Sequence, residues 1–83
     1  MAFCVYIIYS ASLDQYYIGS TGNLEDRLYR HNNSGSKATK KAKDWELRYT
    51  ESCASRAEAV NREAEIKKKK SRHYIESLIS SVG

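Results

Sequence analysis

Eighty-three residues carrying a net charge of +4 at pH 7 make one domain with a thin core, too small to enclose a large cofactor in a deep pocket. No run approaches the ~18 apolar residues of a membrane span, and no basic, apolar, small-residue pattern marks a secretory leader. Cys4 and Cys53 are too few and too isolated for a disulfide framework, and with His31 and His73 they lack the paired spacing of a zinc site. A soluble, cytoplasmic protein with a shallow surface groove, suited to an extended substrate, is expected.

Charge is distributed unevenly. Residues 1–26 contain no Lys or Arg and three acids, Asp14, Glu25 and Asp26, whereas all fourteen basic residues lie from Arg27 onward against seven acids. Clustered positive charge favours a polyanionic partner, most simply nucleic acid. A lysine-rich surface that only keeps the protein in solution has the same composition.

In chain order, Phe3 to Ser10 is aromatic and β-branched, as a mostly buried strand should be. After the polar break 11–15, Tyr16 to Ser20 reads as a second short strand, close enough for an antiparallel hairpin. With the turn centred near Leu13, Tyr6 falls opposite Gly19 and Tyr17 opposite Ile8. Both tyrosines then share a face, with open space across from Tyr6. Asn23 supplies a cap, and Glu25 and Asp26 suit the N-terminus of a helix over Leu24–Asn33 that Ser34-Gly35 ends. Residues 36–43 read as an exposed basic loop. Trp45, Leu47 and Tyr49 alternate with polar residues, predicting a third strand with one buried face. Ser55-Arg56-Ala57-Glu58 is a capping box opening a helix to about Lys69, with Ala57, Val60 and Ala64 inward. A last amphipathic helix carries Tyr74, Ile75, Leu78 and Ile79. The order β-β-α-β-α-α predicts an α/β (α+β) domain over 1–83, built on a small, three-stranded, mainly antiparallel sheet flanked by helices.

Arg27 and His31 stand four apart on the first helix and so project from one face, about 100° from the Leu24/Leu28 stripe and within reach of solvent. A guanidinium beside an imidazole suits phosphate handling, one through bidentate donors and the other through proton exchange near neutral pH. An ordinary polar helix face has the same spacing. Glu63 borders the inward stripe of its helix, where a half-buried carboxylate can hold Mg²⁺ or serve as a surface acid. Phosphate contacts are expected from Lys37, Lys40, Lys41 and Lys43, from Lys67, Lys68 and Lys70, and from Arg30.

Together these segments resemble the GIY-YIG nuclease family, in particular small stand-alone members related to the catalytic domain of the UvrC-type excision-repair nucleases. Cys4-Val5-Tyr6 stands at the GIY position and Tyr17-Ile18-Gly19 at the YIG position. The segment from Asn23 to Asn32 matches the helix with the family's arginine, and Ala59-Val60-Asn61-Arg62-Glu63 with Ile66-Lys67 matches the helix with its glutamate. Cys4 replaces the first glycine of GIY. Where some members carry an asparagine a helix later, this chain has His73, Tyr74 and Ile75. The resemblance implies the GIY-YIG endonuclease fold and hydrolysis of a phosphodiester bond with one Mg²⁺ or Mn²⁺ ion on Glu63. It further implies Tyr6 as general base, His31 taking its proton, Arg27 stabilising charge on the phosphate, and Tyr17 orienting water or phosphate.

The leading expectation is a metal-dependent endonuclease acting on DNA, selective for structure or damage. The alternatives are a nucleic-acid-binding module that keeps the fold without cutting, and a protein-interaction domain. A protein partner or a homodimer is compatible with each.

Overall fold

Phe3–Ser10, the β-branched and aromatic run, forms β1 at the centre of a three-stranded antiparallel sheet, between Gln15–Thr21 (β2) and Trp45–Cys53 (β3). The computed structural model describes residues 3–33 and 42–82. Around β1 the chain adds β2 (Gln15–Thr21), α1 (Leu24–Asn33), β3 (Trp45–Cys53), α2 (Arg56–Lys69) and α3 (Arg72–Val82). The observed order is β-β-α-β-α-α, as the sequence predicts. Lys37, Lys40, Lys41 and the Ser34-Gly35 stop lie outside the described residues.

The hairpin register pairs Tyr6 with Gly19 and Ile8 with Tyr17, so the two tyrosines do share a face. Side chains alternate across a strand, and the sheet buries both faces. Tyr6, Ile8, Ala42 and Trp45 pack on one side with Leu24 and Leu28 of α1. Val5, Ile7, Ile18, Tyr49, Ala59 and Ile66 pack on the other beneath α2 and α3, joined by Tyr74, Ile75, Leu78 and Ile79. The helix starts follow the predicted chemistry. Asn23 Oδ1 accepts from the Asp26 amide at 3.1 Å and Ser55 Oγ from the Glu58 amide at 3.2 Å.

Two expectations need correction. β3 does not bury a single face: Trp45 and Tyr49 lie on opposite sides of the sheet, and Leu47 is 41% exposed. The cause is a bulge. Ile7 pairs with Tyr49 and Ile8 with Leu47, which leaves Arg48 as an extra residue and reverses the alternation beyond it.

The inward stripe of α2 is also not Ala57, Val60 and Ala64. Ala57 and Ala64 are exposed and Val60 is 47% exposed. Ala59 and Ile66 are buried, with Arg62 and Glu63 half-buried between them. Ile66 is the largest aliphatic side chain of this helix, and in this orientation it and Ala59 are removed from water almost completely, at 1% and 0% exposed. Ile66→Ala should therefore destabilise the fold by about 2–5 kcal/mol, while Val60→Ala costs a small fraction of that. Urea unfolding of both variants measures the difference, and equal losses would contradict this helix orientation.

Candidate active site

The site begins at Gly19. A Cβ built there would stand 2.4 Å from Tyr6 Oη and 2.6 Å from its ring carbon Cζ. The space that the sequence reading left open opposite Tyr6 is thus filled by the Tyr6 ring itself, which lies across the glycine and carries its hydroxyl toward β2. Because β2 is an edge strand, that hydroxyl ends near the rim of the sheet.

His31 meets it there. Tyr6 Oη and His31 Nε2 are 2.7 Å apart, and Tyr17 stands edge-on to the imidazole at 4.9 Å between centroids. His31 is buried, not at the solvent-facing edge expected for it. The reason is the next residue. Asn32 accepts from the Trp45 amide at 2.8 Å and donates to the Trp45 carbonyl at 3.1 Å. This two-sided clamp draws the end of α1 onto the sheet and turns His31 inward with it. Arg27, one turn earlier, remains exposed.

Burial and then the neighbouring Tyr17 raise the Tyr6 phenol above the usual tyrosine range, with Arg27 acting in the opposite direction. Burial, followed by the charge of Arg27, pushes His31 below the usual histidine range. Both causes favour the neutral forms, so the resting site holds a neutral phenol against a neutral imidazole.

Glu63 approaches the same edge from α2, on the other face. Ser20 Oγ donates to its Oε1 at 2.7 Å and Lys67 Nζ to its Oε2 at 2.6 Å. Ser20 neighbours Gly19, and Glu63 acts electrostatically on the Tyr6 phenol. Lys67 also lies over the Tyr17 ring, 5.8 Å from its centroid. Edge strand β2 therefore separates two groups of polar residues that meet around its rim. Arg27 lines a cleft of about 370 Å³ there with Ser20, Thr21 and Gly22.

Among the described residues, no three His, Cys, Asp or Glu side chains cluster as metal ligands. A single half-buried carboxylate fits Mg²⁺ or Mn²⁺, which keep several waters and share their remaining positions with substrate phosphates. It does not fit a four-ligand zinc centre. Glu63 meets this description at the rim of β2 beside Ser20.

A three-stranded antiparallel sheet thus gathers two tyrosines, a histidine, an arginine and a glutamate around one edge strand. The chain belongs to the GIY-YIG family, whose catalytic domain matches residues 2–75. The solution structure of a UPF0213 protein from Bacillus halodurans is similar at 31% identity and a TM-score of 0.58, over 96% of this chain and 84% of that one. No curated protein matches. Among the described residues, no helix is long and apolar enough to cross a membrane.

Of the expected phosphate-contacting residues, Arg30 is held by Asp26 at 3.0 Å, while Lys43, Lys68 and Lys70 are exposed. Lys67 is committed to Glu63. Ser20 and Asn32 escaped sequence reasoning. The hairpin register did carry a signal for Ser20, since a polar residue opposite Val5 on a helix-covered face needs a partner. Nothing local distinguishes Asn32 from Asn33.

Two outcomes follow from this geometry. Gly19→Ala must displace the Tyr6 ring and should cost about 1–3 kcal/mol, with loss of the His31 contact, measurable by urea unfolding and by the His31 NMR shifts. A full-stability Gly19→Ala with unchanged His31 resonances would refute the packing described. Since folding lowers the His31 pKa, the unfolded chain binds the proton more readily. Stability is then fully present above the ordinary histidine range, near 6.5, and falls as pH drops through it. Thermal melts between about pH 7.5 and 5.5 should show a falling Tm that His31→Gln flattens. That window lies above the range in which Asp14, Asp44 and Glu51, all held below the usual carboxylate range by hydrogen bonds, respond.

Proposed function

We propose that this GIY-YIG protein is a divalent-metal-dependent endonuclease that hydrolyses phosphodiester bonds in DNA, choosing its target by structure or damage. The single observation that carries the reading is the 2.7 Å contact between Tyr6 Oη and His31 Nε2, formed at the rim where Arg27 and Glu63 also act on the phenol. Selection by structure follows from the basic residues, whose contacts to phosphates carry no direct sequence information.

The roles divide by atom. In the His31 tautomer protonated at Nδ1, Tyr6 donates its hydroxyl hydrogen to Nε2, and transfer along that bond leaves a phenolate able to accept a proton from attacking water. A neutral imidazole is the form that can take this proton, and burial holds His31 in it. Arg27, exposed at the cleft, gives planar donors to the phosphate and stabilises charge developing on its oxygens. Tyr17 orients water or phosphate beside His31. Lys67 releases Glu63 Oε2 and turns to a substrate phosphate. A Mg²⁺ or Mn²⁺ ion held by Glu63 would supply the positive charge that activates water and neutralises the phosphate. That contribution is needed because the phenol is raised in pKa in the resting site.

The same burial favours a second reading. A phenol that is 1% exposed and disfavoured as an anion is also a stable packing group, as in a nucleic-acid-binding module that no longer cuts.

Supercoiled and branched DNA incubated with Mg²⁺ or Mn²⁺ separates the two. Tyr6→Phe, which keeps the ring, and Glu63→Gln should each lower the cleavage rate about 10²- to 10⁴-fold. Chelation of the metal should abolish cleavage. Wild type and Glu63→Gln behaving alike over long incubation would end the nuclease reading, and salt-sensitive DNA binding without cleavage would establish the module.

A further inference from the structure

Most arginines of this chain are engaged by carboxylates. Arg30 pairs with Asp26, Arg48 with Glu46, Arg62 with Glu51 and Glu65, and Arg72 with Asp14 and Glu76. Among the described residues, Arg27 and Arg56 have no carboxylate at ion-pair distance, and both line the same cleft. Arg27 enters it from α1 and Arg56 from the start of α2, with Ser20, Thr21 and Gly22 of the β2–α1 junction between them.

The position of Arg56 is electrostatically unfavourable for the free protein. It is the first residue of α2, where the helix macrodipole already concentrates positive charge. The acid of that first turn, Glu58, directs its carboxylate to the Ala54 amide at 2.8 Å instead of to the guanidinium. Helix stability therefore gives no reason for an arginine here. An anion in the cleft does, because it would meet the fork of Arg56 and the positive end of α2 together. Val60, the exposed apolar side chain on the next turn, adds to the wall a surface that suits a sugar ring.

We propose that Arg56 binds a backbone phosphate of the nucleic acid next to the phosphate engaged by Arg27, so that the strand runs through the cleft between the end of β2 and the starts of α1 and α2. This rests on the nucleic-acid reading above and deepens it, since it gives the strand a path and a second anchoring point beyond the reacting groups. Arg56 is a positioning residue. It holds the strand and touches none of the reacting atoms.

The test is a salt titration of binding to a fluorescently labelled branched DNA without divalent metal, read by anisotropy. Arg56→Gln should weaken binding about five- to twenty-fold at low salt and lower the slope of log K against log salt by about one. Arg56→Lys keeps the charge without the fork, so it should retain the slope and lose part of the affinity. Arg48→Gln, at an exposed arginine paired with Glu46, should bind as the wild type does. Unchanged affinity and slope in Arg56→Gln overturn the proposal, as does weaker binding with an unchanged slope, since a lost phosphate contact must release fewer counterions. Cleavage of supercoiled DNA, measured in parallel, keeps the two readings apart. A wild type that cuts, with Arg56→Gln binding identically, removes only the Arg56 anchor. A wild type that does not cut, with the slope still dependent on Arg56, removes the nuclease and leaves the anchor. Absence of binding by the wild type at low salt removes both.

Discussion

Tyr6 lies across Gly19 so closely that a methyl group there would stand 2.4 Å from the phenol oxygen, and the surrounding site depends on this approach. It requires the β1–β2 register that sets the two residues opposite each other. It requires a glycine at 19 for want of space, not for backbone conformation. It also delivers the hydroxyl to the rim of an edge strand, where groups from both faces of the sheet can reach it. A register slip of one residue would move Tyr17 to the other face and set a larger side chain against Tyr6.

The two faces supply their contributions by separate means. On one face, Asn32 bonds both backbone groups of Trp45 and so sets the depth at which α1 lies. His31, adjacent in sequence, is buried against Tyr6 as a result, while Arg27 one turn earlier stays at the cleft. On the other face, burial of Ile66 sets the rotation of α2. Glu63 stands three residues before Ile66, hence on the same side of the helix, and is carried to the sheet edge beside Ser20. Arg62 completes the anchoring of α2 through its contacts with Glu51 on β3, at 2.9 Å for Nε, and Tyr49 donates to the same carboxylate at 2.6 Å. Packing away from the candidate site thus orients the groups within it.

Electrostatically the site is held in a restrained resting form. Burial keeps Tyr6 and His31 neutral, and Lys67 with Ser20 satisfies both oxygens of Glu63. Positive charge remains available at the cleft through Arg27 and Arg56, which have no carboxylate at ion-pair distance among the described residues. A small domain cannot bury its reacting groups deeply. Here Tyr6 and His31, the groups proposed to exchange protons, are shielded, and the arginines suited to phosphate are exposed.

Much of this was legible in the residues. The element order, the hairpin register, the extent of α1 and its Asn23 cap follow from local patterns: strand composition, turn length and capping chemistry each act over a few neighbouring positions. The GIY-YIG resemblance singled out Tyr6, Tyr17, Arg27, His31 and Glu63, and the fold does gather them around one strand edge. Three features were not legible because each is a choice among distant partners. The bulge at Arg48 splits Trp45 from Tyr49, the Asn32 clamp buries His31, and α2 turns Ala59 and Ile66 inward in preference to Ala57, Val60 and Ala64. By itself, the sequence determined which segments become strands and helices and which side chains are the candidates for chemistry. Only the tertiary structure decided which way β3 and α2 face and how deeply His31 lies, since apolar burial and backbone hydrogen bonds between segments far apart in the chain set those orientations.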